Sequence, residues 1–223
     1  LHYDIKAEMG GVGIVSGYGL TEAPIIAMGT VHDTDEQLAH TEGRATGTTQ
    51  LRVVTLDGKE AGIDEEGEIR VKAPQVMKGY LDPSLDADAF DEDVWFRTGD
   101  LGRIDADGMV TITGRVKDSI IRNMENISAK EVEDVLFAHP DVADVAVIGV
   151  PDPKTGERVC AVVVPADPAS PPDGVSLVEH CRAAGLMTQK LPERIEVVEQ
   201  LPRNPTGKVL KHELRARYGA AAG

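Results

Sequence analysis

Gly114-Arg115-Val116-Lys117-Asp118 marks the place where the chain changes character. Ahead of it the sequence is a series of short strands joined by Asp-Gly and Gly-rich turns; behind it helical and strand segments alternate. A charged, weakly apolar junction between two such halves reads as a hinge, dividing the chain into residues 1–117 and 118–223. The stretch runs on through Ile120-Ile121-Arg122-Asn123-Met124-Glu125-Asn126-Ile127 into a helix start. Ser128 is placed to cap the first turn, Glu131 to reach back to it, and Ile127 with Val132 to close a hydrophobic staple. A mobile polar strap is thereby tied to a rigid element.

Working back from the junction, residues 51–114 read as β-rich. Leu51 to Leu56 meets the turn Asp57-Gly58, Glu68-Ile69-Arg70-Val71-Lys72 alternates, and Leu101 to Ile104 pairs with Met109 to Thr113 across Asp107-Gly108. The expectation is a small barrel-like subdomain. Asp82, Asp86, Asp88, Asp91, Glu92 and Asp93 match no calcium-loop spacing and read as a solvated face. Gly11-Val12-Gly13 is followed by Ser16 where a dinucleotide fingerprint needs glycine, so that reading is rejected. Gly17-Tyr18-Gly19 instead lets the backbone pass close to a ligand, with the Tyr18 ring as a flat face.

Working forward, residues 142–150 and 159–164 are apolar runs of strand length separated by Pro151 to Gly156. Ser176 with Glu179 reads as a second capping box, Gly185 ends that helix, Ile195 to Val198 is a strand, and a helix from about Val209 to Tyr218 follows. Prolines and Gly207 restrict the loop 202–208, a way to present one long side chain, Lys208. The whole is an α+β fold, a β-rich part followed by a small α+β domain.

Composition narrows the function. A formal net charge of -15 argues against binding a phosphate backbone. The excess is concentrated early, with 22 acidic against 11 basic residues before Asp118, and reads as solubility. Two cysteines are too few for a disulfide framework and fit a reducing cytoplasm. No apolar run approaches membrane-spanning length, Leu1-His2-Tyr3 has neither the basic start nor the apolar core of a signal peptide, and the six histidines have no ligand spacing. The chain starts in mid-pattern without an initiator Met, which suggests an excised fragment.

The block Gly114-Arg115-x-Lys117-Asp118-x-Ile120 with Glu125-Asn126-Ile127-Ser128 resembles the hinge motif of the adenylate-forming, AMP-binding superfamily of acyl-CoA synthetases, peptide-synthetase adenylation domains and luciferases. Tyr18-Gly19-Leu20-Thr21-Glu22, Gly67-Glu68-Ile69 with Gly79-Tyr80, Trp95 to Asp100, and Pro202 to Lys208 follow the family's order. The resemblance implies the barrel-like end of a large AMP-binding domain (1–117) and a small mobile C-terminal domain (118–223). It implies that Tyr18 lies against adenine with Gly19 beside it, that Thr21 contacts phosphate, and that Glu22 helps hold Mg2+. It implies that Asp100 accepts from the ribose hydroxyls of ATP with Arg115 as companion across the hinge, that Asp118 is the pivot, and that Lys117, Met124 and Glu125 fall at nucleotide- or CoA-binding positions. Lys208 matches the family's catalytic lysine.

The implied function is an acyl-CoA synthetase that activates a fatty or aromatic carboxylic acid with ATP and passes it to CoA. Two departures qualify this. The Ser/Thr/Gly-rich phosphate loop and most of the acyl pocket are not among these residues, so the stretch should not form an adenylate alone. Asn123-Met124 stands where relatives carry a small pair, and Met124 would intrude on a thiol tunnel. Acyl delivery to a carrier protein and a non-catalytic interaction module are the alternatives.

Overall fold

The structure, a computed structural model, describes residues 1–219, and its contacts divide the chain into two compact units, Leu1–Val116 and Lys117 onward. In the first, α1 (His2–Met9) precedes a small antiparallel sheet of β1 (Gly17–Tyr18), β2 (Ala27–Met28) and β3 (Arg44–Ala45). Between β2 and β3, α2 (Asp35–His40) starts from a capping box in which Thr34 and Gln37 each accept from the other's backbone amide. Then come β4 (Gln50–Val54), β5 (Gly67–Lys72), the short helix α3 (Asp86–Ala89), β6 (Phe96–Ile104) and β7 (Val110–Arg115). The four strands form one antiparallel sheet in the order β4-β5-β6-β7.

That sheet is open, and no closed barrel forms among the described residues, which corrects the barrel-like expectation. Closure requires β4 to pair with β7, a non-local register that strand patterns do not encode. The start of β7 meets another partner: Val110 N donates to Gly43 O at 2.8 Å, and Glu42 N donates to Val110 O at 2.8 Å. Gly43 has φ +82, and a Cβ there would lie 2.0 Å from Gly29 N, so only glycine fits. Alternation along β5 buries Ile69 and Val71 on one face, where Ile69 packs with Val53 and Val110, and Val71 with Phe96 and Ile26.

The acidic stretch before β6 is less solvated than its composition suggests. Asp91 has a side chain only 7% exposed, accepts from Trp95 N at 2.9 Å, and is paired with Arg52 and, at 2.9 Å, with Arg70. Arg52 also lies 4.6 Å from the Trp95 ring centroid, within cation–π range. Burial alone would raise the Asp91 carboxyl; the Trp95 amide, Arg70 and Arg52 outweigh it and hold it at about 2. A folded pKa below the unfolded value stabilises above about pH 4 and loses that contribution as pH falls through 2, about 2 kcal/mol in all. Chemical denaturation across pH 7 to 2 should therefore find Asp91→Asn destabilised by about 2 kcal/mol at neutral pH, the gap from wild type shrinking below pH 4. A gap independent of pH would refute this account.

In the second unit, the turn Val116–Asp118 leads to the hairpin of β8 (Ser119–Arg122) and β9 (Glu125–Ser128), then α4 (Ala129–Phe137), β10 (Val142–Asp152), β11 (Gly156–Pro165), α5 (Gly174–Ala183), β12 (Arg194–Val197) and α6 (Lys211–Tyr218). The sheet order is β10-β11-β8-β9, with β12 parallel to β11. Val145, Val147, Val159, Ala161 and Val163 join one core with Val132, Leu136, Leu177 and Cys181 of α4 and α5. Ala146, Ile148, Val150, Cys160 and Val162 join a second with Leu214 and Tyr218 of α6 and with Leu201. Covering on both faces explains why these strands read as continuous apolar runs, each buried Val or Ile contributing about 1.5–3 kcal/mol. Burial pushes the Cys160 thiol up to about 11 and the Cys181 thiol up as well, so neither is poised as a nucleophile.

Helix starts differ in detail from the sequence reading. Ser128 caps α4, its hydroxyl accepting from Glu131 N at 3.3 Å, while the Glu131 carboxylate takes Lys190 Nζ at 2.6 and 2.8 Å. The N-cap of α5 is Asp173, which puts Ser176 inside the first turn, against His139 Nε2 at 3.3 Å. Gly185, φ +88, ends this helix in a Schellman pattern, with Leu186 N donating to Cys181 O and Gly185 N to Arg182 O. α6 starts at Lys211 because Val209 still bridges to Arg203 and Leu210 N donates to Pro202 O.

Candidate functional site

Asp100 is placed by two irregularities in its strand. Arg70 pairs with Arg97 and Glu68 with Leu101, so Thr98, Gly99 and Asp100 bulge opposite Ile69; on the other side Thr113 is the extra residue of β7. Thr98 Oγ1 holds the bulge, donating to Ile69 O at 2.7 Å and accepting from Asp100 N at 3.1 Å. Gly99 supplies the required φ of +69. The Asp100 residue is only 4% exposed, and each carboxylate oxygen has a partner: Tyr18 Oη donates to Oδ2 at 2.7 Å and Arg115 Nε to Oδ1 at 2.7 Å. Arg115 stands opposite Asp100 in the β6–β7 register, inside the same unit. Burial, and the neighbouring Asp100 carboxylate, push the Tyr18 phenol up, so it stays a donor. With about four lone-pair positions on a carboxylate, two acceptor positions remain after Tyr18 and Arg115.

The loop after β1 carries the other residues of the Tyr18 block. Leu20 and Ala23 exchange backbone hydrogen bonds at 3.0 and 3.2 Å, closing a tight turn. A Cβ on Gly19 would lie 2.5 Å from Ile25 N, so the close backbone approach required of this glycine is to its own loop. Thr21 is exposed and Glu22 half-buried. Glu22 Oε1 accepts from Tyr80 Oη at 3.2 Å, and Glu22 O from Met77 N at 2.7 Å, which joins the Gly79-Tyr80 motif to the Thr21-Glu22 motif. Burial, then Glu22, raises the Tyr80 phenol.

In the second unit Lys208 ends a loop folded around one side chain. Asn204 Oδ1 accepts from Thr206 N at 3.1 Å, Thr206 Oγ1 at 2.8 Å and Lys208 N at 2.8 Å, while Asn204 N donates to Lys208 O and Gly207 N to Asn204 O. Gly207 turns the chain at φ +85. Lys208 is exposed, and no ion pair forms to its Nζ among the described residues of its unit.

Asp118 is held from the far end of the unit: Arg215 Nη2 of α6 donates to Asp118 Oδ1 at 2.8 Å and to Lys117 O at 3.3 Å. Lys117 and Glu125 are exposed. Asn123 and Met124, with φ of +50 and +64, form the two-residue turn of the β8–β9 hairpin, the sign pattern of a type I′ turn. Met124 is 93% exposed. Its side chain therefore does not pack on the neighbouring Ile121, which is itself exposed.

Sequence reasoning did not find Arg215, nor the direct Tyr18–Asp100 bond. Their partners lie 97 and 82 residues away, and no spacing rule reaches that far. The Glu22–Tyr80 bond had a signal, since both motifs stand out as conspicuous blocks, but not one that joined them.

Two family descriptions match the chain: AMP-binding enzyme over residues 1–81, and AMP-binding enzyme C-terminal domain over residues 131–208. The chain is 41% identical over 201 residues to pyochelin synthase PchD of Pseudomonas aeruginosa, covering 89% of this chain and 36% of that one. It is 38% identical over 211 residues to the medium-chain fatty-acid–CoA ligase of Escherichia coli, covering 94% and 37%. ATP-bound MatB from Rhodopseudomonas palustris superposes with a TM-score of 0.87 at 35% identity, over 98% of this chain and 43% of that one. The chain thus spans well under half the length of these relatives. With a match on each side of the Lys117 division and a fold shared with an ATP-bound relative, the chain belongs to the AMP-binding family of adenylate-forming enzymes.

Proposed function

We propose that these residues are part of an AMP-forming acid–thiol ligase that makes an acyl-adenylate from a carboxylic acid and ATP and passes the acyl group to CoA. The observation that carries this reading is Lys208, an exposed ammonium on a loop folded by Asn204 inside the match to the C-terminal domain family. Its charge stabilises the negative charge that develops between the acid carboxylate and the α-phosphate in the first step. Asp100, aligned by Tyr18 and Arg115, offers its two remaining acceptor positions to the ribose diol, and the Tyr18 ring lies against adenine with Gly19 beside it. Thr21 donates to phosphate. A phosphate loop rich in Ser, Thr and Gly is not among residues 1–223, so on this reading these residues alone do not make the adenylate.

Glu22 is the residue that would hold Mg2+. A single half-buried carboxylate with one oxygen held by Tyr80 suits an ion that takes one or two protein carboxylates together with substrate phosphates. Bound there, the ion would offset phosphate charge. For the second step the unit from Asp118 on swings about that residue, removing Lys208 and bringing Met124 and Glu125 toward the thiol, with Lys117 next to the pivot; two steps that need different contacts are the general reason for such a motion. No helix among the described residues is long and apolar enough to cross a membrane, and we place the enzyme in the cytoplasm, acting on a fatty or aromatic acid.

A second reading, delivery to a carrier protein, is favoured by the likeness to a pyochelin synthase and by Met124 where a thiol tunnel would want a small residue. One experiment addresses both. Carboxylate-dependent exchange of labelled pyrophosphate into ATP is measured over aliphatic and aromatic acids in the enzyme carrying these residues, followed by acyl transfer to CoA, in wild type and Met124→Gly. We expect exchange with at least one acid, unchanged by the substitution, and a gain of roughly tenfold in acyl-CoA formation. Glycine also relieves a left-handed residue, worth roughly 1–2 kcal/mol, so the melting temperature should rise. Exchange with no acid sinks the ligase reading; exchange without transfer to CoA in either protein favours the carrier.

A further inference from the structure

We infer that Asp144, acting through Arg203, is a positioning residue for Lys208. This rests on the reading of Lys208 given above. The bonds that Asn204 collects are internal to the loop, so they fix its shape but not its place. Its stems are anchored by Leu201, buried in the α6-side core, and by Val209 packed against the same core. The tip next to Lys208 has a different tether. Arg203 Nη1 donates to the carbonyl of Gly207, the residue before Lys208, and Arg203 Nη2 donates to Asp144 Oδ2. Asp144 is itself fixed, accepting from Val145 N at 3.0 Å on its other oxygen and sitting in β10 opposite Val164, just past a bulge. A planar guanidinium with a carboxylate on one nitrogen and a backbone carbonyl on another has one orientation, which makes it a spacer of set length.

The pair is too exposed to matter much for global stability, with side chains 42% and 30% accessible, and surface pairs of this kind contribute about 0–1 kcal/mol. Its value lies in geometry. A lysine that must meet developing charge loses rate when its backbone drifts by an ångström, roughly 10- to 100-fold. Without Asp144, Arg203 is free to rotate into solvent and the Gly207 carbonyl loses its donor.

The test compares wild type, Asp144→Ala, Asp144→Glu, Arg203→Ala, the Asp144→Ala/Arg203→Ala double variant and Lys208→Ala in the full enzyme. Pyrophosphate exchange, thiol transfer from supplied acyl-adenylate, and melting temperature are measured for each. Asp144→Ala and Arg203→Ala are expected to lower the maximal exchange rate by about tenfold, with KM for ATP and thiol transfer unchanged. The double variant should fall no further, since both remove one tether, and Asp144→Glu should recover most of the rate. Additive losses, a parallel loss in thiol transfer, or wild-type exchange in Asp144→Ala would overturn the assignment while leaving the role of Lys208 intact. Wild-type exchange in Lys208→Ala overturns that role and this one with it.

Discussion

Lys208→Ala is expected to lower carboxylate-dependent pyrophosphate exchange by about 10²–10³-fold, the usual cost of deleting one preorganised charge or donor at developing negative charge. The side chain is exposed and lies in no core, so the substitution removes a function without removing packing. Gly207 and Asn204 keep the loop in shape, because every bond Asn204 makes there is to backbone or to Thr206. Thiol transfer from supplied acyl-adenylate should stay within about twofold, since that step develops no charge on a transferring phosphate. Lys208→Arg should recover only part of the exchange, because a planar fork is not a point charge. Near-normal exchange in Lys208→Ala, or equal losses in both steps, would show that this lysine does not act at the phosphate.

Asp100→Ala is expected to weaken ATP binding by about 100-fold. Two charge-assisted hydrogen bonds to a ribose diol, at about 1.5 kcal/mol each, are lost, and the Tyr18 phenol and Arg115 guanidinium are left without their acceptor. The effect should depend on the sugar. Wild type should prefer ATP to 2′-deoxy-ATP by about tenfold, one hydrogen bond, and the variant should bind the two alike. Tyr18→Phe tests the support rather than the anchor: the ring face remains, one donor to Oδ2 goes, and affinity should fall by roughly 3-fold to 10-fold. Calorimetric titration with both nucleotides reads all three. An unchanged sugar preference in Asp100→Ala would mean the ribose is bound elsewhere.

The parts of this fold that were legible in the sequence are those set by neighbours in the chain. The Asp107-Gly108 turn with alternation on either side gave the β6–β7 pairing of Ile104 with Val110, and Ser128 gave the start of α4. The Gly185 stop of α5 was equally local. What was hidden depends on tertiary placement. Asp91 lies in an acidic run that has every mark of a wet surface, and only the arrival of Arg52 and Arg70 from β4 and β5 makes it a buried ion-pair centre. A barrel-like shape was read into strand density, although strand density says nothing about which edges meet, and the sheet is open. Motifs singled out Asp100, Asp118 and Lys208, whereas the side chains that bond around them, Thr98 beside Asp100, Arg215 on Asp118, and Asn204 and Arg203 in the Lys208 loop, do so through bulges and contacts with no periodic trace.

The two-sided sheet of the second unit also sets an order of events during synthesis. β10 and β11 are neighbours in sequence, paired over ten positions, so this hairpin can close early with little loop entropy to overcome. Its α4 face is covered in part by that helix, already made, and completed by Leu177 and Cys181 of α5, the next helix to emerge. The opposite face, Ala146, Ile148, Val150, Cys160 and Val162, waits for Leu214 and Tyr218 of α6. Ribosomes adding about 5–20 residues per second leave that surface bare for seconds, the interval in which a nascent chain most needs a chaperone or risks sticking to its neighbours on the polysome.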